Sequence, residues 1–197
     1  EIEVPENEPR WLCYGDSIAE GWCATEPAHA WPHVVAREHG LDVINLGYAG
    51  AARGEIASAQ EIASLPASLI SISHGTNCWS RTPHSARLFA ESMRAFLEIV
   101  RTGHPGVPVV AISPIVRPDA EESANLLGAT LADLREAFEV VVLDSIKAGD
   151  ENLTLVRGRD LIDPEQLPDG IHPGDEGHTE MARALGPILT RAAHQGA

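Results

Sequence analysis

The chain reads as an α/β protein: a three-layer α/β/α domain of flavodoxin-like form around a five-stranded parallel sheet. Three observations predict this. Five short β-rich runs alternate with helical stretches along the 197 residues. The runs are apolar without strict alternation, as in strands covered on both faces. A length of 197 residues with 44% hydrophobic content suffices for one sizeable core. A strand–helix–strand order of this kind closes into a parallel sheet through right-handed crossovers.

In chain order, residues 1–9 (EIEVPENEP) are acidic and Pro-rich and read as a linker or tail; the domain is 10–197. The predicted strands are 11–14, 42–46, 69–73, 107–112 and 140–143. Thr82-Pro83 reads as the N-cap and first position of a helix running to about Arg101, with Leu88, Phe89, Met93, Phe96, Leu97 and Val100 as its apolar stripe and Gly103 as its stop. Asp119 with Glu122 suits a capping box for the next helix, in which Leu127, Leu131, Leu134 and Phe138 recur at helical spacing. Residues 155–168 read as a long irregular stretch, the kind of segment that often carries function. A last helix spans about Asp175 to Arg191, with Pro187 kinking or shortening it.

Composition excludes several classes of function. Lys and Arg number 14 against 29 Asp and Glu, a formal charge of −15, which repels nucleic acid. No apolar run approaches the ~20 residues of a membrane span. Cys13, Cys23 and Cys78 are odd in number and irregular in spacing, so they form no disulfide framework. Read as reduced thiols they favour a cytoplasmic chain. A start on Glu1, read as a trimmed terminus, leaves secretion open. The histidines lack ligand spacing, so no metal site is expected.

In a doubly wound sheet the site forms at the carboxyl ends of the strands. After the first strand comes Gly15-Asp16-Ser17; after the second, Asn45-Leu46-Gly47-Tyr48-Ala49-Gly50; after the third, His74-Gly75-Thr76-Asn77; late in the chain, Asp169-Gly170-Ile171-His172-Pro173. Acyl transfer needs these residue types. A serine hydroxyl becomes a nucleophile when a base takes its proton, histidine suits that task near neutrality, and a carboxylate three residues upstream can fix its tautomer. The oxyanion needs preorganised N–H donors. Alone, Ser17 would read as a helix cap, and Gly-Asp-Ser arises by chance in about one chain in twenty of this length. The order of all four motifs is what carries the signal.

Those motifs resemble the four blocks of the SGNH (GDSL) hydrolase family over nearly the whole domain. The resemblance implies Ser17 as nucleophile, His172 as base and Asp169 as its orienting acid. It implies the Ser17 N–H, the Gly50 N–H and the Asn77 amide as oxyanion donors, and no cofactor. In this family block III commonly reads G-x-N-D; here Cys78 stands in place of the acid. Trp22, Arg53, Trp79 and Arg81 follow catalytic blocks closely and are candidates to line the pocket and contact substrate; His74 sits beside the site as a further candidate, with a packed or structural role the more favoured reading for it. The implied activity is a serine esterase cleaving a small carboxylic ester, with a short acyl group such as acetyl, through an acyl-serine intermediate. An acyltransferase using the same dyad, a lipase or thioesterase for longer chains, and a non-catalytic binding module are the alternatives. Some family members carry a β-sandwich ahead of the hydrolase domain, and EIEVPENEP would suit a linker from one.

Overall fold

The computed structural model describes residues 8–195. The linker read over residues 1–9 thus falls mostly outside the described residues. Five parallel strands form one sheet in the order β2-β1-β3-β4-β5. They are β1 (Arg10–Gly15), β2 (Asp42–Gly47), β3 (Leu69–Ser73), β4 (Val109–Ile112) and β5 (Leu153–Val156). The helices are α1 (Ser17–Glu20), α2 (Trp31–His39), α3 (Ile56–Ser64), α4 (Thr76–Trp79), α5 (Ala86–Gly103), α6 (Leu131–Lys147) and α7 (Asp175–Gln195). None of the described helices is long and apolar enough to cross a membrane.

The continuous apolar runs hide a period of two. On β1, Trp11 and Cys13 enter one core with Trp31 of α2 and Met181, Leu185 and Leu189 of α7. Leu12 and Tyr14 enter the other core with Ile62 of α3, Phe96 of α5 and Phe138 of α6. Adjacent side chains on a strand point to opposite faces, so both faces must be apolar when both are covered. The one polar residue within the β3 core, Ser71, accepts a hydrogen bond of 2.9 Å from the Trp11 indole.

Three expectations need correction. Residues 140–143 are not a strand; they lie within α6. Leu134, Phe138, Val141 and Val142 are buried at helical spacing while Val140 is 44% exposed. A four-residue apolar run fits either period, and here it continues a helix already under way. The fifth strand is instead Leu153–Val156, which pairs in parallel with β4 from Val109↔Leu153 to Ile112↔Val156. Four residues, Leu-Thr-Leu-Val, are too short to give a decisive strand signal; the unpaired edge of β4 recruits the segment. Arg101 fixes its approach, donating to Asp150 at 2.6 Å and to the carbonyls of His104 and Val107. The irregular stretch is correspondingly shorter, and two 3₁₀ turns (Gly158–Asp160 and Pro164–Gln166) structure it.

Two helix starts also lie later than expected. α5 is capped by Ser85, whose side chain accepts from the Leu88 N–H at 3.2 Å, because Thr82-Pro83 belongs to a turn closed by the His84 N–H on the Cys78 carbonyl at 2.7 Å. Leu88 is consequently 47% exposed. The capping box of α6 is Thr130 with Asp133, not Asp119 with Glu122, and Leu127 lies outside the helix and exposed. α7 runs through Pro187 to Gln195.

Below the carboxyl edge of the sheet, His74 is buried in an aromatic cage. Its ring centroid lies 5.5–5.8 Å from those of Phe89, Tyr14, Phe96 and Phe138. Neither ring nitrogen has a partner among the described residues. Burial drives its pKa down from 6.5 to about 4, against the opposing charge of Glu55 and with a smaller push from His84. The folded pKa is below the unfolded one, so unfolding takes up a proton between the two values, and stability is lost as pH falls from 6.5 to about 4. In His74→Phe this loss should vanish. The stability difference between variant and wild type, from urea melts at pH 7.5 and pH 4, should move in the variant's favour by about 3 kcal/mol. A pH-independent difference would show that His74 is not held neutral.

Candidate active site

β1, β2 and β3 end in register: Gly15 pairs with Gly47 on one side and with Ser73 on the other. α1 starts immediately and lies across the ends of β1 and β2. A Cβ at Gly47 would stand 2.4 Å from the Glu20 nitrogen, and one at Gly15 would stand 2.5 Å from the Ala19 Cβ. These glycines are therefore required by the close approach of α1. Asn45 anchors the helix by donating to the Ala19 carbonyl at 2.8 Å. The N-cap is Asp16, which accepts from the Ile18 N–H at 3.0 Å, and Ser17 is the first helical residue.

Ser17 Oγ lies 2.8 Å from His172 Nε2. His172 Nδ1 lies 2.6 Å from Asp169 Oδ2. The other carboxylate oxygen, Oδ1, accepts from the N–H groups of Ile171 at 2.9 Å and His172 at 2.7 Å. One turn therefore holds both the ring and its acid. Burial alone would raise the Asp169 carboxyl; the hydrogen bonds from the His172 ring and from these two N–H groups outweigh it and hold the group well below the usual carboxylate range. Asp16 is the opposite case. Burial raises it to about 6, although the Ile18 N–H and the nearby His172 favour its charged form.

The loop after β2 is braced on every side. Glu20 accepts from the Ala49 N–H at 2.8 Å, the Tyr48 N–H donates to the Gly15 carbonyl at 2.9 Å, and the Tyr14 hydroxyl donates to Glu55 at 2.9 Å. Glu55 in turn accepts from the Arg53 N–H at 3.0 Å. Gly50, at φ 67°, has a conformation that suits glycine. Asn77 sits in α4, buried, its amide donating to the Ala52 carbonyl at a long 3.4 Å. Cys78, in place of the family acid, points its thiol at the Arg53 carbonyl at 3.8 Å. The thiol thus meets the same loop that carries Gly50. Burial pushes the Cys78 pKa up, opposed by Arg53, so it stays a thiol.

A cavity of about 480 Å³ opens over these groups, with Ser17, Gly50, Asn77 and His172 in its wall. Trp22 and Arg53 also line it, as expected. His74 does not: it is buried beneath, where the aromatic cage of α5 and α6 claims it. Trp79 is not a lining residue either. Its indole donates to the Ser123 carbonyl at 2.8 Å and its face carries the Arg117 guanidinium at 4.9 Å. Arg117 itself lines the cavity and was not singled out in the sequence, although it follows the fourth strand, where the carboxyl-edge rule would have found it.

His178 is a second missed residue. It is fully buried on α7, accepts at Nδ1 from the Trp31 N–H at 3.3 Å and so donates from Nε2 to the Trp22 carbonyl at 3.2 Å. It fixes the loop that lays the Trp22 ring 5.5 Å from that of His172. Asp175 ties the same loop down through Thr25, at 2.8 Å to its N–H and 2.7 Å to its hydroxyl. Cys23 Sγ, Asp169 Oδ2 and His172 Nδ1 lie within 4.8 Å of one another. A divalent metal could use them only by breaking the Asp169–His172 hydrogen bond, so the set fits the dyad better than a resident ion.

No curated protein sequence matches the chain significantly. Among solved structures, a salicylyl-acyltransferase, SsfX3, of a tetracycline biosynthetic pathway is 29% identical with a TM-score of 0.80, covering 98% of this chain and 56% of that one. A candidate GDSL-like lipase from Bacteroides ovatus is 24% identical with a TM-score of 0.82, covering 95% and 54%. A family two carbohydrate esterase from Clostridium thermocellum, 16% identical with a TM-score of 0.75, covers 96% and 66% and shares the fold. The chain thus spans about half the length of the first two. The family model of GDSL-like lipases and acylhydrolases matches residues 13–179, and with the ordered blocks at the carboxyl edge of a five-stranded parallel sheet, the chain belongs to the GDSL-like lipase/acylhydrolase family.

Proposed function

We propose that the protein is a serine esterase acting on small carboxylic esters with short acyl groups. The observation that carries this reading is the unbroken chain Ser17 Oγ–His172 Nε2–Asp169, with contacts of 2.8 and 2.6 Å, opening on the cavity. Asp169 accepts from Nδ1, which leaves Nε2 free of its proton and able to accept one. Ser17 Oγ attacks the acyl carbon as its proton passes to Nε2. The carbonyl oxygen becomes an oxyanion held by the N–H groups of Ser17 and Gly50 and by the Asn77 amide. The ester C–O bond then breaks, and His172 returns the proton to the leaving alcohol. Water, deprotonated by His172, attacks the acyl-serine; the Oγ–C bond breaks and Ser17 recovers its proton. Placement of Ser17 in the first turn of α1 aims the helix N-terminus at the developing charge.

The 29% identity to the salicylyl-acyltransferase supports a second reading, in which an acceptor alcohol replaces water at the acyl-serine. Product analysis with added alcohols separates the two. A transesterified product exceeding free acid at millimolar acceptor would assign transfer.

Two tests address the primary reading. Ser17→Ala should lose turnover and fluorophosphonate labelling while melting like wild type. Asn77→Ala should lower kcat by about 10²–10³-fold, the cost of one oxyanion donor. A raised KM at unchanged kcat would make Asn77 a substrate contact instead.

Three polar side chains in the wall favour a short acyl chain. Ser80, Arg81 and Arg117 are part of the wall and offer a hydrocarbon little. An apolar tunnel would gain about 0.8 kcal/mol per methylene, or about 15-fold in kcat/KM for two carbons. On p-nitrophenyl esters of two to twelve carbons the expected series is flat or falling beyond butyrate. A steady rise to eight carbons would assign a lipase-like or thioesterase-like role.

A further inference from the structure

The chain carries 14 Lys and Arg against 29 Asp and Glu, yet three arginines meet at one cavity. Arg53 comes from the loop after β2, Arg81 from the connection between α4 and α5 and Arg117 from the loop after β4. No described Asp or Glu lines that cavity. The three are held differently. The Arg53 guanidinium donates to the carbonyls of Gly50 at 2.7 Å and Ala51 at 2.9 Å, so neither contact is with a carboxylate. Arg81 is exposed, and no hydrogen bond or ion pair engages it among the described residues. Arg117 is clamped by both oxygens of Asp119 at 2.8 and 2.9 Å, with its guanidinium carbon 4.9 Å from the Trp79 ring centroid; that pair supplies fixed donors more than net charge. An arginine fork matches a carboxylate in shape and charge.

We propose that the cavity takes a short acyl group bearing a carboxylate, so that the substrate is a half-ester of a dicarboxylic acid. This rests on the esterase reading of Ser17. The same reading fixes which side of the ester carries the anion. The leaving oxygen must reach His172 Nε2. The arginines belong instead to the segments around the oxyanion donors: Arg53 donates to the Gly50 carbonyl, Arg81 follows Asn77 by four residues, and Arg117 sits against Trp79. With the leaving oxygen turned to His172 and the carbonyl oxygen to its donors, the acyl substituent takes the remaining opening of the cavity, which Arg81 borders. A terminal carboxylate there meets Arg81, with Arg117 and Arg53 beside it. This accounts for three arginines gathered at a cavity that no described Asp or Glu lines.

The test compares matched esters on the whole chain, with uncatalysed rates subtracted. The acyl-side pair is 4-nitrophenyl hydrogen glutarate and its terminal methyl ester. The leaving-side pair is 4-acetoxybenzoate and its methyl ester. The expected kcat/KM ratio, anion over neutral, is about tenfold for the acyl-side pair, the effect of one charge-assisted contact, and one or less for the leaving-side pair. Arg81→Ala should collapse the acyl-side ratio toward one and Arg81→Lys should restore part of it; Arg117→Ala should lower it. Because each ratio is taken within one protein, a general loss of activity cancels. An acyl-side ratio of one or less in wild type, or one unmoved by Arg81→Ala, overturns the proposal. A larger ratio on the leaving side overturns the acyl placement. Should wild type turn over no ester at all, the esterase reading fails first. Calorimetric titration of Ser17→Ala with monomethyl and dimethyl glutarate then still decides the anion preference, and equal affinity for the two overturns it.

Discussion

The close contact of α1 with the ends of β1 and β2 is the constraint on which the rest of the site depends. Gly15 and Gly47 sit side by side in the sheet, and neither position has room for a methyl group. That lets a helix begin within two residues of the strand end, which places Ser17 at the sheet edge and not on a longer, mobile connection. The same helix then serves as a wall. Glu20 holds Ala49, Asn45 holds Ala19, and the loop that presents Gly50 is fixed from both ends before Arg53 closes it. A larger residue at Gly47 would displace α1 backbone, and the nucleophile and the oxyanion loop would move together.

Opposite this rigid edge, the base arrives from α7 across the other core. His172 and Asp169 occupy one turn, so their mutual geometry is local, but their distance to Ser17 is not. It is set by α7 packing on α2, by Asp175 holding Thr25 and by buried His178 bridging Trp31 and Trp22. The His178 hydrogen bonds are made in the core, where leaving a partner unmatched costs about 1–3 kcal/mol, whereas the Asp175–Thr25 contacts lie at the surface. The polar groups that orient the dyad therefore also staple the second core to the site.

Charge is distributed with the same economy. A surplus of acid covers the surface, while the positive charge near the reacting serine is concentrated in arginines on three separate loops. Beneath them Asp16 and His74 are buried and both shifted toward their neutral forms by burial.

The sequence by itself determined the fold class, the first three strands and the four motifs that the sheet brings to one edge. Those features are local: a strand pattern of buried runs, a Gly-Asp-Ser before a helix, an Asp and a His on one turn. Residues 140–143 and 153–156 exchanged roles because a four-residue stretch carries too little periodicity to choose; α6 and the edge of β4 chose for them. Cys78 was legible as a departure, but only packing showed its thiol against the Arg53 carbonyl. Trp79 looked equivalent to Trp22 and Arg53 in sequence, each close behind a motif, while His74 stood at the head of one with a packed role favoured. Tertiary structure separated them, because side chains a few residues past a strand end can turn down into the core or up over the cavity, and that choice depends on neighbours more than sixty residues away, such as Phe138 under His74.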